Sequence, residues 1–102
     1  MNIFVLGGTR FVGRRVVEML LERGCKVTVG SRNKEGCPKG AYLVSGEREI
    51  ILAKTSGQYF DVIIDFICYR GGDPQKTLSA VKTGKYILIS SVWINNFLPP
   101  KV

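Results

Sequence analysis

A glycine-rich segment near the start of the chain has the residue types and spacing of a phosphate-binding loop. It follows the short apolar run at residues 2–6 and consists of Gly7, Gly8, Thr9, Arg10, Phe11, Val12 and Gly13. A glycine directly after a strand can make a tight turn, and a later one permits close packing of the next helix. Backbone amides at the start of that helix would favour an anionic pyrophosphate. The spacing predicts that residues 7–13, here named the glycine loop, hold the phosphates of a dinucleotide.

The segments on either side of the glycine loop have the patterns of a strand and a helix. Residues 2–6 are continuously apolar, as in a strand that is buried on both faces of a parallel sheet. Apolar residues then recur at helical spacing at Val12, Val16 and Leu20, and Arg23-Gly24 is a typical helix end. Residues 26–30 read as a second strand, so the first 30 residues predict a βαβ unit.

The rest of the chain continues the alternation of strands and helices. The pattern predicts a loop at 31–40, a strand at 41–44, a helix at 48–55, a strand at 61–67, a helix from Asp73 until Gly84 and a strand at 85–90. This order predicts a single α/β domain over residues 1–102, with about five strands in a doubly wound parallel sheet of order 3-2-1-4-5.

The predicted topology locates a ligand before any family is considered. In a doubly wound sheet the ligand lies across the carboxyl ends of the first and fourth strands. In this sequence those ends are Gly7 and the pair Asp65 and Phe66. We therefore expect Asp65 and Phe66 to join the glycine loop in binding the cofactor.

The glycine loop resembles a family fingerprint. Residues 5–13 are similar to the Gly-x-x-Gly-x-x-Gly motif of the extended short-chain dehydrogenase/reductases, the NAD-dependent epimerase/dehydratase group, and the likeness extends through residues 61–65 to 89–91. The resemblance implies a Rossmann-like fold and a nicotinamide dinucleotide. Arg10 replaces the middle glycine, as in an atypical branch of the family. Its planar guanidinium can bind a phosphorylated ribose, although a solvated arginine is the alternative.

The end of the second strand bears on the choice of cofactor. NAD-binding proteins of this fold place an acid there, about 20 residues after the glycine loop, to hold the ribose hydroxyls. Residues 30–33 contain no acid, whereas Ser31 and Arg32 suit a 2′-phosphate. NADP is therefore our first choice and NAD the second. The resemblance also implies an acid after the third strand that contacts the adenine, and Glu47 is the candidate.

Catalytic residues are harder to find in this sequence. The resemblance implies a serine near the end of the fifth strand, where Ser90 and Ser91 stand, and a tyrosine followed by lysine as Tyr-x-x-x-Lys. None of the four tyrosines has lysine at that spacing. Serines at a strand end can also merely satisfy backbone groups. The sequence thus leaves open whether the chain is an enzyme.

The length of the chain predicts an incomplete domain, and its last segment, residues 92–102, predicts self-association. Proteins of the family that the chain resembles are much longer, so the sheet is expected to be a truncated version of theirs. Residues 92–102 form an apolar tail. An open apolar surface promotes association, and we expect a homodimer or a higher oligomer.

Composition excludes several classes of function. The chain has no histidine, which excludes Ser-His and Cys-His nucleophiles, and its three scattered cysteines predict reduced structural thiols and no metal site. The sequence lacks an apolar stretch of membrane-spanning length and a signal peptide, so a cytoplasmic location away from membranes is expected. A net charge of +7 suits anionic ligands.

Three functions are consistent with these observations. The first is an NAD(P)-binding Rossmann domain of an epimerase/dehydratase-like protein that lacks full catalytic machinery. The second is an active oxidoreductase or epimerase that a partner chain completes. The third is a basic regulatory or nucleic-acid-binding protein that reuses the fold, supported only by charge and the missing catalytic pair. We favour the first and expect a dinucleotide, not a nucleic acid, as the ligand.

Overall fold

The computed structural model describes residues 1–7, 11–66 and 73–89 as one parallel sheet with helices. Its elements are β1 (Asn2–Leu6), α1 (Phe11–Glu22), β2 (Lys26–Ser31), β3 (Tyr42–Ser45), α2 (Arg48–Thr55), β4 (Tyr59–Asp65), α3 (Asp73–Ala80) and β5 (Lys82–Leu88). All neighbouring strands are parallel, in the order β3-β2-β1-β4-β5. The predicted Rossmann-like α/β fold and strand order are confirmed. Each helix in this part of the chain is too short or too polar to cross a lipid bilayer.

The alternation of side chains along β1 divides the core into two clusters. Ile3 and Val5 point to the face that α1 covers, and Phe4 and Leu6 point to the face that α2 and α3 cover. The α1-side cluster contains Ile3, Val5, Val17, Val27 and Val29. The α2/α3-side cluster contains Phe4, Leu6, Val44, Ile51, Leu52, Phe60, Ile63 and Val81. The sheet is therefore covered on both faces, which explains why its central strands are continuously apolar.

Helix α1 has the predicted extent, with one correction to its apolar face. Val17 is fully buried, but Val12 in the first turn is 65% exposed and does not contribute to the core. The helix ends at Glu22, and Gly24 follows with a φ of 81° while its amide donates to the Leu21 carbonyl. This left-handed glycine confirms the predicted end of the helix.

The predicted boundary between α3 and β5 is wrong. The helix ends at Ala80, and Gly84 lies inside β5. The amide of Lys82 donates to the Gln58 carbonyl, so pairing with β4 begins at once, with Tyr59 opposite Lys82. A side chain at Gly84 would approach the Tyr59 hydroxyl to 3.0 Å. Gly84 thus permits a close contact with the neighbouring strand. In the sequence the same glycine has the appearance of a helix end.

Smaller differences concern strand lengths and the apolar stripe of α3. Strand β2 includes Ser31, β3 lies one residue later than predicted, and β4 begins at Tyr59 and ends at Asp65. The sequence predicts a thin apolar stripe of Leu78 and Val81 for α3. Val81, just after α3, is buried in the core, but Leu78 is 49% exposed and the neighbouring Thr77 is fully buried. Strand ends shift because pairing with a neighbouring strand, which a local pattern does not contain, decides where the ladder stops.

Gly30 in β2 allows α2 to pack tightly on the sheet. A Cβ atom at this position would lie 2.8 Å from Ile51 Cγ2 and 2.9 Å from Leu6 Cδ2. The Gly30→Ala variant is therefore expected to lower the free energy of unfolding by about 1–3 kcal/mol through overpacking. Urea unfolding would measure the change, with Lys26→Ala at the exposed start of β2 as the control. Equal stabilities of the two variants would contradict the tight packing.

Candidate functional site

The carboxyl edge of the sheet contains a switch point between β1 and β4. Leu6 of β1 lies opposite Asp65 of β4, and the Phe66 amide donates to the Leu6 carbonyl at 2.9 Å. The chain leaves β1 toward α1 on one face, whereas α3 after β4 lies on the other. A crevice forms between strands whose connections diverge in this way. The structure thus brings Gly7 together with Asp65 and Phe66, as the sequence predicted.

Gly7 makes the turn at the end of β1. Its φ is 88°, a left-handed value that favours glycine, and its amide donates to the Gly30 carbonyl at 2.7 Å. Helix α1 begins four positions later at Phe11, and Gly13 in its first turn is buried. Gly8, Thr9 and Arg10 lie outside the described residues. The turn and the helix start that the glycine loop requires are both present.

The end of β2 borders the same edge. Ser31 is buried, and its hydroxyl accepts a hydrogen bond from the Asn33 amide at 3.0 Å, which fixes the turn after the strand. Arg32 between them is exposed. Arg32 therefore lies outside the core and can reach an anion beyond the strand end.

Glu47 stands at the next position along the edge, just before α2. The Gly46 amide donates to the Ser31 carbonyl at 3.1 Å, which joins the ends of β2 and β3. Glu47 is the N-cap residue of α2 and is exposed, and its side chain makes no capping hydrogen bond. Its carboxylate therefore faces solvent beside the edge where the other candidates lie.

Asp65 has a different environment from the other candidates. Its side chain is completely buried on the α2/α3 side of the sheet. Arg48 Nη1 donates to its Oδ1 at 3.3 Å, Arg48 Nη2 donates to its Oδ2 at 2.6 Å, and the Tyr86 hydroxyl donates to Oδ2. Arg48 Nη2 also donates to the Thr77 hydroxyl at 2.6 Å. We name Arg48, Asp65, Thr77 and Tyr86 the buried ion-pair cluster.

Reasoning from the sequence missed the partners of Asp65 in this cluster. One signal was present, since Asp65 is a charged residue at the end of an apolar strand and a buried charge requires a partner. Nothing in the spacing identified Arg48, which is 17 residues earlier, or Tyr86, which is 21 residues later. Elements α2, β4, α3 and β5 each contribute one residue.

Other reactive groups of the described residues lie away from this edge or form no cluster. No three histidine, cysteine, aspartate or glutamate side chains in the described ranges lie close enough together to hold a metal ion. Cys25 and Cys37 carry free thiols beside the α1-side cluster, and burial raises the pKa of the Cys37 thiol. Cys37 is therefore protonated at neutral pH, as expected for a structural thiol. The catalytic candidates Ser90 and Ser91 lie outside the described residues.

The parallel sheet, its strand order and the switch point define a Rossmann-like α/β protein. The model of the NAD dependent epimerase/dehydratase family matches residues 3–79, and the chain belongs to this family. The fold is similar to the crystal structure of the oxidoreductase ylbE from Lactococcus lactis, with a TM-score of 0.65 and 22% sequence identity. That match covers 99% of this chain and 52% of the ylbE chain, so this chain spans about half the length of ylbE. No curated protein matches the sequence closely.

Proposed function

We propose that the chain binds a nicotinamide dinucleotide across the carboxyl ends of β1 and β4. The observation that carries the proposal is the left-handed turn at Gly7, directly between a buried strand and a helix at the switch point of the sheet. Such a turn lets backbone amides approach a pyrophosphate at the helix start. Membership of the NAD dependent epimerase/dehydratase family supports the same ligand.

The proposal assigns each candidate residue a part of the dinucleotide. The pyrophosphate lies on the glycine loop, formed by Gly7, Gly8, Thr9, Arg10, Phe11, Val12 and Gly13. Ser31 and Arg32 are assigned to the adenosine ribose, and Glu47 to the adenine. Phe66 borders the crevice, and its amide is fixed to β1. Asp65 contributes indirectly, since its carboxylate is buried against Arg48.

Binding is the part of the family's chemistry that these residues support. The sequence has no Tyr-x-x-x-Lys pair, and the hydroxyl of Tyr86 is committed to Asp65. We therefore propose NAD(P) binding for these residues and assign none of them a proton-donating role. Self-association through residues 92–102 stays a prediction, because those residues lie outside the described ranges.

Calorimetric titration of the folded chain with NADPH and with NADH tests the proposal. Saturable binding of either cofactor is the expected result. A chain that is folded by circular dichroism and binds neither would contradict it. Titration with a short DNA or RNA duplex, repeated at two salt concentrations, separates dinucleotide binding from nucleic-acid binding.

Arg32 carries the preference for NADPH over NADH in this proposal. An exposed arginine after β2 can hold a 2′-phosphate, and no carboxylate stands at residues 30–33 to repel it. The Arg32→Met variant is expected to bind NADPH about tenfold more weakly and NADH unchanged, since one charge-assisted hydrogen bond is lost. Calorimetry with both cofactors measures the ratio. Lys34→Met removes another exposed cation from the same loop and is the control. An unchanged ratio in Arg32→Met would remove Arg32 from this role.

A further inference from the structure

Asp65 places a negative charge next to the turn that would receive the pyrophosphate. Its backbone lies opposite Leu6, the residue before Gly7, and neighbouring parallel strands are about 4.8 Å apart. The carboxylate is fully buried, so water screens it little. An uncompensated anion here would repel a ligand that carries two phosphate charges. The switch point therefore needs a compensating cation.

Arg48, the first residue of α2, supplies that cation on the same face of the sheet as the Asp65 carboxylate. Both terminal nitrogens of its guanidinium contact the Asp65 carboxylate, and the side chain is only 12% exposed. Two neutral hydroxyls extend the pair, since Thr77 of α3 accepts from Arg48 and Tyr86 of β5 donates to Asp65. These contacts fix the first residue of α2 against the last residue of β4.

We propose that Arg48 is a positioning residue for the dinucleotide site and that it acts by neutralising the buried Asp65 carboxylate. The inference rests on the proposed function. Arg48 itself does not touch the ligand in this arrangement, because its guanidinium is buried against Asp65. The pyrophosphate meets a neutral edge only while the ion pair is intact.

The variants Arg48→Met and Arg48→Met/Asp65→Asn separate the charge of Arg48 from its packing. Arg48→Met leaves the Asp65 charge uncompensated, and NADPH is expected to bind at least about tenfold more weakly. In the double variant neither charge remains, and asparagine keeps an oxygen that accepts from Tyr86. Its affinity is expected to return to within about threefold of the unmodified chain. A residue that acted only by packing would not be rescued by removal of its partner.

The measurement is calorimetric titration with NADPH, and circular dichroism establishes that each variant is folded. Lys82→Met at the opposite edge of the sheet lowers the net charge by the same amount and is expected to leave affinity unchanged. The proposal would be overturned if Arg48→Met bound NADPH as tightly as the unmodified chain. It would also be overturned if Arg48→Met/Asp65→Asn bound NADPH no more tightly than Arg48→Met.

Failure of Arg48→Met to fold leaves the proposal testable. The double variant contains no buried unpaired charge and is expected to fold, and Arg48→Lys retains the cation. Both are expected to bind NADPH within about threefold of the unmodified chain, and a tenfold loss in the double variant would contradict the proposal.

If the unmodified chain binds neither NADPH nor NADH, the proposed function fails together with this inference. If it binds normally and Arg48→Met does too, only this inference fails.

Discussion

Asp65→Ala is expected to lower the free energy of unfolding by about 3–5 kcal/mol, because it leaves the buried Arg48 guanidinium without its carboxylate. Arg48 would keep its contact with the Thr77 hydroxyl, which carries no charge. Tyr86 would also lose its acceptor on Asp65. Folded domains of this size are stable by about 5–15 kcal/mol, so the loss is a large fraction of the total.

A surface carboxylate with arginine partners is the matched control for this measurement. Glu18 lies 3.6 Å from Arg14 Nε and 3.7 Å from Arg15 Nη1, and all three side chains are substantially exposed. Glu18→Ala is therefore expected to cost about 0–1 kcal/mol. Urea unfolding of both variants gives the comparison. If Asp65→Ala costs no more than Glu18→Ala, the Asp65 ion pair does not make the contribution expected of a buried pair.

The alternation of elements and the order of the strands were predictable because they depend on local signals. The apolar runs at β1 and β4, the 3.6-residue period of α1 and the glycine after it each act within a few residues. Right-handed crossovers then leave few arrangements for parallel strands. The switch point followed from that order alone, before any residue was assigned a role.

The buried ion-pair cluster was not predictable in the same way. Its members belong to four elements, and the pairing depends on where α2 and α3 pack on the sheet. Asp65 was predicted to contact the cofactor because it ends β4. The structure places its backbone at that edge but turns its carboxylate to the α2/α3 side. Residue position follows from topology, whereas the direction of a side chain depends on its partners.

Gly84 illustrates a second limit of local patterns. A glycine between a helical and an apolar segment fits a helix end in the sequence, but Gly84 lies inside β5, where an added Cβ atom would lie 3.0 Å from the Tyr59 hydroxyl and 3.2 Å from the Asp61 carbonyl oxygen. A local pattern does not contain such contacts between residues that are distant in the sequence. The same limit applies to Thr77, which is fully buried and accepts a hydrogen bond from Arg48 of α2.

Gly7→Val is expected to abolish or strongly weaken dinucleotide binding. Gly7 has a φ of 88°, which a β-branched residue rarely adopts, and its turn aims the chain toward the start of α1. A valine side chain would also occupy the space where the pyrophosphate approaches the backbone. Loss of one hydrogen bond to a charged group costs about 1.5–3 kcal/mol, which corresponds to about 10- to 100-fold weaker binding. The full effect is expected to exceed this range, since several amides are displaced together.

Backbone strain must be separated from loss of the site, and Gly24 provides the control. Gly24 has a similar φ of 81° and follows α1 at the opposite end of the helix, where an added Cβ atom would meet nothing within 4 Å. Gly24→Val therefore introduces comparable strain, about 1–3 kcal/mol, away from the carboxyl edge. Calorimetric titration with NADPH is expected to show binding by folded Gly24→Val and none by folded Gly7→Val. If both variants bind NADPH equally well, the turn at Gly7 does not hold the phosphates. Its role would then be limited to the fold, as at Gly24.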